Sequence, residues 1–178
     1  MKKLLNSELN RLSVAAFKNT VKFPVIVILD NVRSQNNIGS VFRTCDAFLL
    51  EGIHLCGITS RPPHREINKT ALGATESVHW EYFEKTEDAV VKLRKAQYRI
   101  IAVEQTVVNI PLNQFVIRND QKYALIFGHE IHGIQQHIVD LCDESIEIPQ
   151  LGTKHSINIA VSAGIVLWEF FKVFHGTY

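Results

Sequence analysis

The sequence predicts an α/β domain with a mostly parallel sheet and helices on both faces. Two observations support this fold class. Short apolar segments rich in β-branched residues, such as Val25–Leu29, have the composition of strands that are buried on both sides. These segments alternate along the chain with amphipathic or apolar segments of helical length, as in sheets whose parallel strands are joined by helices.

The first half of the chain is predicted to contain three helices and three strands. The helices span 6–19, 37–48 and 66–72, and the strands span 25–29, 53–57 and 78–83. Ser7 can cap the first helix, since serine is a favourable N-cap residue. The apolar residues that follow it lie near one face, as in an amphipathic helix. Pro62 and Pro63 make the segment around them loop-like.

The second half continues the alternation. It predicts a helix over 86–97, strands over 99–103 and 123–127, a last strand that includes Ile146 and Ile148, and a helix over 156–174. Thr86 is expected to cap its helix, with Glu87 and Asp88 in the first turn, where negative charge is favourable. We expect residues 1–22 to be a helical extension and residues 23–178 to form one domain.

Composition limits the class of protein. The chain has 178 residues, of which 46% are hydrophobic and 21% charged, an ordinary mixture for a soluble globular domain. No segment approaches the roughly 18 uninterrupted apolar residues of a membrane span, and the start lacks the apolar core of a signal peptide. We therefore expect a cytoplasmic protein with no membrane partner. The net charge of +1 argues against a tight nonspecific nucleic-acid binder, but it is compatible with an enzyme that grips RNA through a local basic patch.

Three polar loops follow predicted strands, at Leu29, Phe127 and Ile148. Parallel sheets bind ligands beyond the carboxyl ends of their strands, so these loops are the expected place for chemistry. The first loop lacks a dinucleotide fingerprint and leads to Asn37, which suits a helix cap, and to Arg43 in an otherwise apolar helix. Because helical side chains lean toward the N-terminus, we expect the Arg43 guanidinium to reach the crevice, although a salt bridge is the commoner role.

The second loop begins with Gly128, and a glycine directly after a buried strand lets a ligand approach the backbone. Glu130 is then expected in the crevice, or as a carboxylate that caps the following helix. His129, His132 and His137 suggest a zinc site as an alternative. The H-E-x-x-H pattern needs histidines four residues apart, whereas the spacing here is three, and we therefore predict no metal.

The third loop spans 148–158 and joins the last strand to the last helix. Pro149 and Gly152 predict a shaped turn with free backbone groups, which suits an adenine or a carboxylate. Ser156 would be the cap of the last helix if its role were only structural. Each loop alone is weak evidence, but three such loops at strand ends in one small domain indicate a binding site.

In this order, the three loops resemble the motifs of SpoU/TrmH-type RNA 2′-O-ribose methyltransferases in the SPOUT superfamily. Asn37–Thr44 matches the first motif. The second is matched by Gly128, Glu130 and Gly133, and the third by Ile148, Pro149, Leu151, Gly152, Ser156, Ile157 and Asn158. The resemblance covers about residues 23–174, with Gln150 where methionine is common and His129 where asparagine or serine is common.

The resemblance implies a SPOUT-like C-terminal trefoil knot whose loops bind the cofactor. It also implies a homodimer with both active sites at the interface. The last helix is compatible with a dimer, because it carries more apolar surface than one sheet face needs, through Ile157, Val161, Ile165, Trp168 and Phe171. A fully buried core helix is the alternative.

The implied reaction is methyl transfer from S-adenosyl-L-methionine to a ribose 2′-hydroxyl of structured RNA, either tRNA or rRNA. The residues implied as catalytic are Arg43, Asn37, Glu130, Ser156 and Asn158. Those implied as cofactor-binding are Gly128, Ile148, Leu151, Ser156 and Ile157. We expect Arg43 to grip an RNA phosphate and orient the hydroxyl, because a guanidinium hardly ever loses its proton in a protein.

RNA contacts are expected from basic residues near the first two strand ends, namely Arg33, Arg61, Arg65 and Lys69. The basic loop 61–65 is stiffened by prolines, and a solvated surface loop is the alternative interpretation of it. Two rival functions are weighed at this point. A catalytically silent RNA-binding module on the same fold would not need Arg43, Glu130 and Asn158 together. A nucleotide-binding enzyme of another α/β type would need a glycine fingerprint or P-loop, which the sequence lacks.

Overall fold

The computed structural model describes residues 1–176, and its centre is a seven-stranded parallel sheet. The strands are β1 Phe23–Asp30, β2 Leu50–Cys56, β3 His79–Phe83, β4 Tyr98–Val103, β5 Ile110–Pro111, β6 Lys122–Phe127 and β7 Glu144–Glu147. The helices are α1 Val14–Asn19, α2 Gln35–Ala47, α3 Arg65–Ala71, α4 Ala74–Ser77, α5 Thr86–Lys95, α6 Gln136–Val139 and α7 Ile159–His175. Short 3-10 turns cover Asn6–Glu8 and Leu112–Gln114.

The strands lie in the order β3-β2-β1-β6-β4-β7-β5. β1 and β6 occupy the middle, and almost all their residues are buried, which explains their continuous apolar, β-branched sequences. The chain leaves the middle toward β3 and then returns to β4 on the other side of β6. This reversal sets the carboxyl ends of β1, β6, β4 and β7 side by side, where sheets of this kind bind ligands.

Helices cover both faces of the sheet, as predicted. One core contains Phe42 of α2 and Phe170 of α7, and the other contains Leu93 of α5 and Ile138 of α6. The α/β fold class is therefore confirmed, whereas the trefoil knot and the domain boundary at residue 23 stay predictions. Phe17 of α1 packs into the first core, so the N-terminal segment contacts the sheet domain.

The predicted helix over 6–19 is wrong in its extent. Asn10 has a left-handed φ of 47°, which interrupts a helix, and only Val14–Asn19 is α-helical. The N-cap of α1 is Ser13, whose hydroxyl accepts a hydrogen bond from the Ala16 N–H, so Ser7 does not cap it.

Three other helices have different N-caps than predicted. Ser34, not Asn37, is the N-cap of α2, and its hydroxyl accepts from the Asn37 N–H. Thr86 is the first residue of α5 rather than its cap, and its buried hydroxyl donates to Asp30. The N-cap of α7 is Asn158, so Ser156 lies before the helix. Short polar side chains compete for the same cap, and tertiary contacts decide which of them takes it.

Several short elements were not predicted, namely α4, β5, α6 and the 3-10 turn at Leu112–Gln114. Each has only two to four residues, too few to show a helical or strand period. Within residues 1–176, no helix combines the length and the apolar character that crossing a bilayer requires.

Candidate active site

Four loops meet at the carboxyl edge of the sheet because their strands are paired in register. Leu29 at the end of β1 lies opposite Phe127 at the end of β6, and Val103 of β4 lies opposite Ile146 of β7. The loops that follow β1, β6, β4 and β7 are therefore neighbours. Three of them are the polar loops that the sequence indicated.

Glu130, in the loop after β6, holds the loop after β1. Its carboxylate oxygens accept hydrogen bonds from the backbone N–H groups of Arg33 at 3.1 Å and Ser34 at 2.9 Å. Burial raises the pKa of the Glu130 carboxyl, but these two donors, with its own backbone N–H and the Asn37 amide, outweigh burial and hold the pKa below its ordinary value. Glu130 is thus an ionised anchor at the N-terminal end of α2, where negative charge is stabilised.

A polar relay connects the three predicted motifs, and we define it as Glu130, Asn37 and Asn158. The side-chain amide of Asn37 donates a hydrogen bond to the Glu130 carboxylate at 3.4 Å. The side-chain amide of Asn158 donates to the side-chain oxygen of Asn37 at 3.2 Å. The Asn158 side-chain oxygen also accepts from the Ala160 N–H at 2.9 Å as the cap of α7. The relay therefore ties the first turns of α2 and α7 to the loop after β6.

A cavity of about 400 Å³ lies beside this relay, which is within the usual ~300–1,000 Å³ of small-molecule sites. Its wall includes the predicted residues Gly128, Glu130, Ser156, Ile157 and Asn158. The wall does not include Ile148, which packs against the core, or Leu151, which is fully exposed. We call this the first cavity.

Gly128 is required by a close approach of backbone at the floor of the first cavity. His129 and Gly133 exchange two backbone hydrogen bonds, of 3.1 and 2.8 Å, which close the loop into a tight turn. A Cβ atom on Gly128 would lie 2.3 Å from the carbonyl carbon of Gly133 and 2.4 Å from the Ile134 nitrogen. Only glycine fits here, and the group that approaches its backbone is the turn itself, whereas the sequence suggested a ligand.

The loop after β4 also lines the first cavity, and sequence reasoning missed it. The Glu104 carboxylate accepts from the Ile134 N–H at 2.9 Å, and the Gln105 amide donates to the His155 carbonyl at 3.0 Å. Val103, Glu104 and Gln105 are all part of the cavity wall. The available signal was the polar pair Glu104 and Gln105 directly after a buried strand, but this pair lies outside the three motifs.

Arg43 does not line the first cavity, contrary to the expectation that it reaches the crevice. It is exposed, and within residues 1–176 it makes no hydrogen bond or ion pair. The reason is helical phase, because Arg43 follows Asn37 by six residues and so points about 240° around the axis of α2. It lies on the same outer stripe as Asn36 and Ala47, which are also exposed.

The predicted RNA-binding residues separate into two groups. Arg33 follows β1 closely, and Arg61 follows β2, with its guanidinium 4.3 Å from the centroid of the Tyr82 ring. Arg65 and Lys69 lie on α3, where both approach Glu66 at 3.9 and 3.8 Å. All four are exposed, so each is accessible to a phosphate.

The histidines that suggested a zinc site have other contacts. The rings of His129 and His132 stack with centroids 4.8 Å apart, and His137 lies 3.2 Å from Glu87. In the described part of the chain, no three His, Cys, Asp or Glu side chains are grouped so that they could hold a metal ion.

The model of the SpoU rRNA Methylase family matches residues 24–168, which is most of the chain. The protein belongs to this family. The predicted family is thus confirmed, and the matched region contains all three motif loops and the whole relay. The domain is accordingly of the RNA methyltransferase class.

Individual relatives agree with this assignment. The chain is 29% identical to the tRNA (guanosine(18)-2′-O)-methyltransferase of Aquifex aeolicus over 82% of this chain and 67% of that protein. It is 26% identical to a putative TrmH family tRNA/rRNA methyltransferase of Staphylococcus aureus, over 84% of this chain and 59% of that protein. The AdoMet-bound rRNA methyltransferase of Sinorhizobium meliloti superposes with a TM-score of 0.78 at 25% identity, over 88% of this chain and 59% of that one. The chain therefore spans about three fifths to two thirds of the length of these relatives.

Proposed function

We propose that the protein transfers a methyl group from S-adenosyl-L-methionine to a ribose 2′-hydroxyl of structured RNA, either tRNA or rRNA. The observation that carries the proposal is the relay of Glu130, Asn37 and Asn158 beside the first cavity. One relative is named for 2′-O methylation of tRNA and another for rRNA methylation. These names support the reaction and are compatible with either tRNA or rRNA as the substrate.

The first cavity fits the proposed cofactor. The tight turn over residues 128–133 forms one wall of the cavity, and a flat adenosyl group could lie against this backbone. Ile157 adds apolar surface, and the carboxylate of Glu104 is placed for ribose or ammonium donors. The Ser156 hydroxyl, which makes no hydrogen bond within residues 1–176, is available to the methionine end. Ile148 and Leu151 would bind only through their backbone groups or after movement of their loop.

S-adenosyl-L-methionine, when bound, supplies an electrophilic methyl group on a sulfonium. The residues of the chain must then bring the ribose hydroxyl into line and manage its proton. Glu130 is a poor base, because its pKa is lowered and both its oxygens already accept hydrogen bonds. We therefore assign Glu130, Asn37 and Asn158 to positioning, and Arg43 to gripping the RNA phosphate and orienting the hydroxyl.

We further propose that a second copy of the chain completes the site. α2 and α7 cover the same face of the sheet and are joined at the Asn37–Asn158 bond and by packing of Phe48 on Trp168. The outer stripe of α7 is apolar and exposed, with Val161 at 52%, Ile165 at 38% and Trp168 at 43%. A homodimer that buries this stripe would bring a neighbouring surface over Arg43. The cytoplasmic location stays a prediction.

The direct test is to map 2′-O-methylated nucleotides in total RNA from cells with and without the gene, and then to repeat the reaction with purified protein. The proposal predicts at least one site that disappears with the gene and returns with purified protein and cofactor. Calorimetry with S-adenosyl-L-methionine measures cofactor binding to the same purified protein. Cofactor binding without any methylated site would instead support the catalytically silent RNA-binding module.

A further inference from the structure

A second cavity, of about 570 Å³, adjoins the first. The two share the wall formed by His129, Glu130 and Ile131, so a ligand in one lies next to a ligand in the other. The rest of the second cavity is lined by the segment Arg33–Gln35 and by Ile58 and Ser60 from the loop after β2. None of the three motifs requires these last two residues.

Two isoleucine side chains stand exposed at this cavity although their backbones are fixed. Ile58 is 63% exposed and Ile131 is 75% exposed. The Ile58 N–H donates to the Asn31 side chain at 3.2 Å, and the Ile131 N–H donates to the His129 ring at 3.0 Å. Branched apolar side chains that ordered loops hold in water are stabilised when the apolar face of a ligand covers them and removes that surface from water.

Gln35 and Ser60 supply neutral polar groups to the second cavity that are suited to the edge of a base. The Gln35 amide donates to the Ser60 hydroxyl at 3.2 Å, which fixes the carboxamide and leaves its carbonyl oxygen as an acceptor. The Ser60 hydroxyl can still donate. A carboxamide held in one orientation discriminates between bases by its donor and acceptor pattern.

The rim of the cavity is basic. Arg33 lies in its wall, and Arg61 directly follows Ser60, with its guanidinium held over the Tyr82 ring. The Tyr82 hydroxyl in turn donates to the Gly57 carbonyl at 3.0 Å, which fixes the same loop. The charge of Glu130 in the shared wall is already balanced by backbone donors, so the rim favours phosphates.

We propose that the second cavity binds the base of the nucleotide whose ribose is methylated, with Ile58 and Ile131 against the base and Gln35 reading its edge. This inference rests on the proposed function. Because the two cavities share one wall, a base in the second places its own ribose toward the first. Sequence-specific recognition of RNA relies on such unstacked bases, which are held by side-chain faces and read at their edges.

The test is single-turnover methylation of RNAs that carry each of the four bases at the mapped target. We expect Ile58→Ala and Ile131→Ala each to lower kcat/KM about tenfold, because losing the apolar contact of a branched side chain with a ligand has roughly that effect. Gln35→Ala should reduce the preference of the wild type for one base from about tenfold or more to near equality. Cofactor affinity by calorimetry should not change in Ile58→Ala or Gln35→Ala, whose side chains lie outside the first cavity.

Two exposed residues outside both cavities serve as matched controls. Val21→Ala removes an exposed branched side chain, and Gln114→Ala removes an exposed carboxamide. The proposal is overturned if the isoleucine variants behave like Val21→Ala, if Gln35→Ala slows all four RNAs equally, or if the base preference belongs to a neighbouring nucleotide. A wild-type protein that methylates no RNA, with or without bound cofactor, overturns the proposed function and this inference together.

Discussion

The carboxyl edge of the sheet and the outer surface of α2 and α7 differ in how far the chain itself holds their functional groups. At the edge, Glu130, Asn37 and Asn158 bond to one another, and Glu130 also bonds to backbone N–H groups. On the outer surface, Arg43 is exposed beside an apolar stripe, with no hydrogen bond or ion pair inside residues 1–176. Contacts within the chain fix the first region, whereas in the second region they leave Arg43 and the apolar stripe exposed.

This difference teaches that cofactor binding and methyl transfer should be separable by mutation. The relay and the first cavity are preorganised, so cofactor affinity should depend on them and on little else. Arg43 should matter only when RNA, and in our proposal a second copy of the chain, covers its surface. Changes at four positions test the preorganised edge or the open surface, and changes at a fifth position test the separation itself.

The largest effect is expected from Gly128→Ala. The new Cβ would collide with the Gly133 and Ile134 backbone, which must shift and deform the floor of the first cavity. We expect a loss of about 3 kcal/mol in the free energy of unfolding and no cofactor binding at millimolar concentration. Urea unfolding and calorimetry measure the two quantities.

Gly152→Ala is the matched control for that substitution. Gly152 lies in the loop before α7, and a Cβ there would meet no atom within 4 Å. It should unfold like the wild type and bind the cofactor normally. Equal behaviour of the two alanine variants would mean that the turn after β6 does not shape the cavity.

Next in size is Ile165→Asp, which places a charge on the outer stripe of α7. We expect light scattering at micromolar concentration to give a dimer for the wild type and a monomer for the variant, because a buried unpaired carboxylate is costly. Methyl transfer should fall at least tenfold. Val91→Asp, at an equally exposed valine of α5, should change neither. A wild type that is monomeric and active would contradict the shared site.

A smaller effect is expected from Asn158, where two substitutions separate the cap from the relay. Asn158→Ala removes both and should lower the free energy of unfolding by about 1 kcal/mol. Asn158→Asp keeps a capping oxygen but cannot donate to Asn37, so its stability should stay close to wild type. Both should slow single-turnover methylation about fivefold. Slowing in the alanine variant alone would reduce Asn158 to a cap.

The smallest effect is a pH dependence at Glu130. Its pKa is lowered in the folded protein, so its carboxylate contributes stability above the unfolded value of 4.5 and loses it as the pH falls through the folded value. Glu130→Gln should therefore be less stable than wild type at neutral pH, with the difference shrinking below about pH 4.5. Urea unfolding at stepped pH measures it, and Glu84→Gln, at an exposed carboxylate, should show no such trend.

The central fold was predictable because β1 and β6 are buried on both faces, and strands of this kind have continuous apolar, β-branched sequences. The three motif loops followed from strand ends. A close approach to Gly128 was also expected, but from a ligand and not from the Gly133 and Ile134 backbone that the structure shows there.

The helix N-caps were predicted at the wrong residues because Ser34 and Asn158 are held by residues far along the chain. Ser34 bonds to Glu130, and Asn158 bonds to Asn37. The loop after β4 was missed for the same reason, since Gln105 acts through His155, 50 residues away.

The orientation of Arg43 was wrong for a different reason. The lean of helical side chains toward the N-terminus was considered, but the phase around α2 was not. Six residues from Asn37 set Arg43 on the outer stripe, and no local sequence pattern gives the partner that would cover it. The second cavity was likewise out of reach, because Ile58 and Ile131 come together only through the order of the strands.

The most direct test of the separation is Arg43→Ala, measured for cofactor affinity, melting temperature and single-turnover methylation of the mapped RNA. We predict unchanged affinity and melting temperature with a rate at least about a hundredfold lower, because the lost group acts on the transition state. Arg43→Lys should restore little, since an ammonium lacks the two-pronged grip on a phosphate. An early-melting Arg43→Ala protein that methylates at the normal rate would contradict the account and make Arg43 a structural residue.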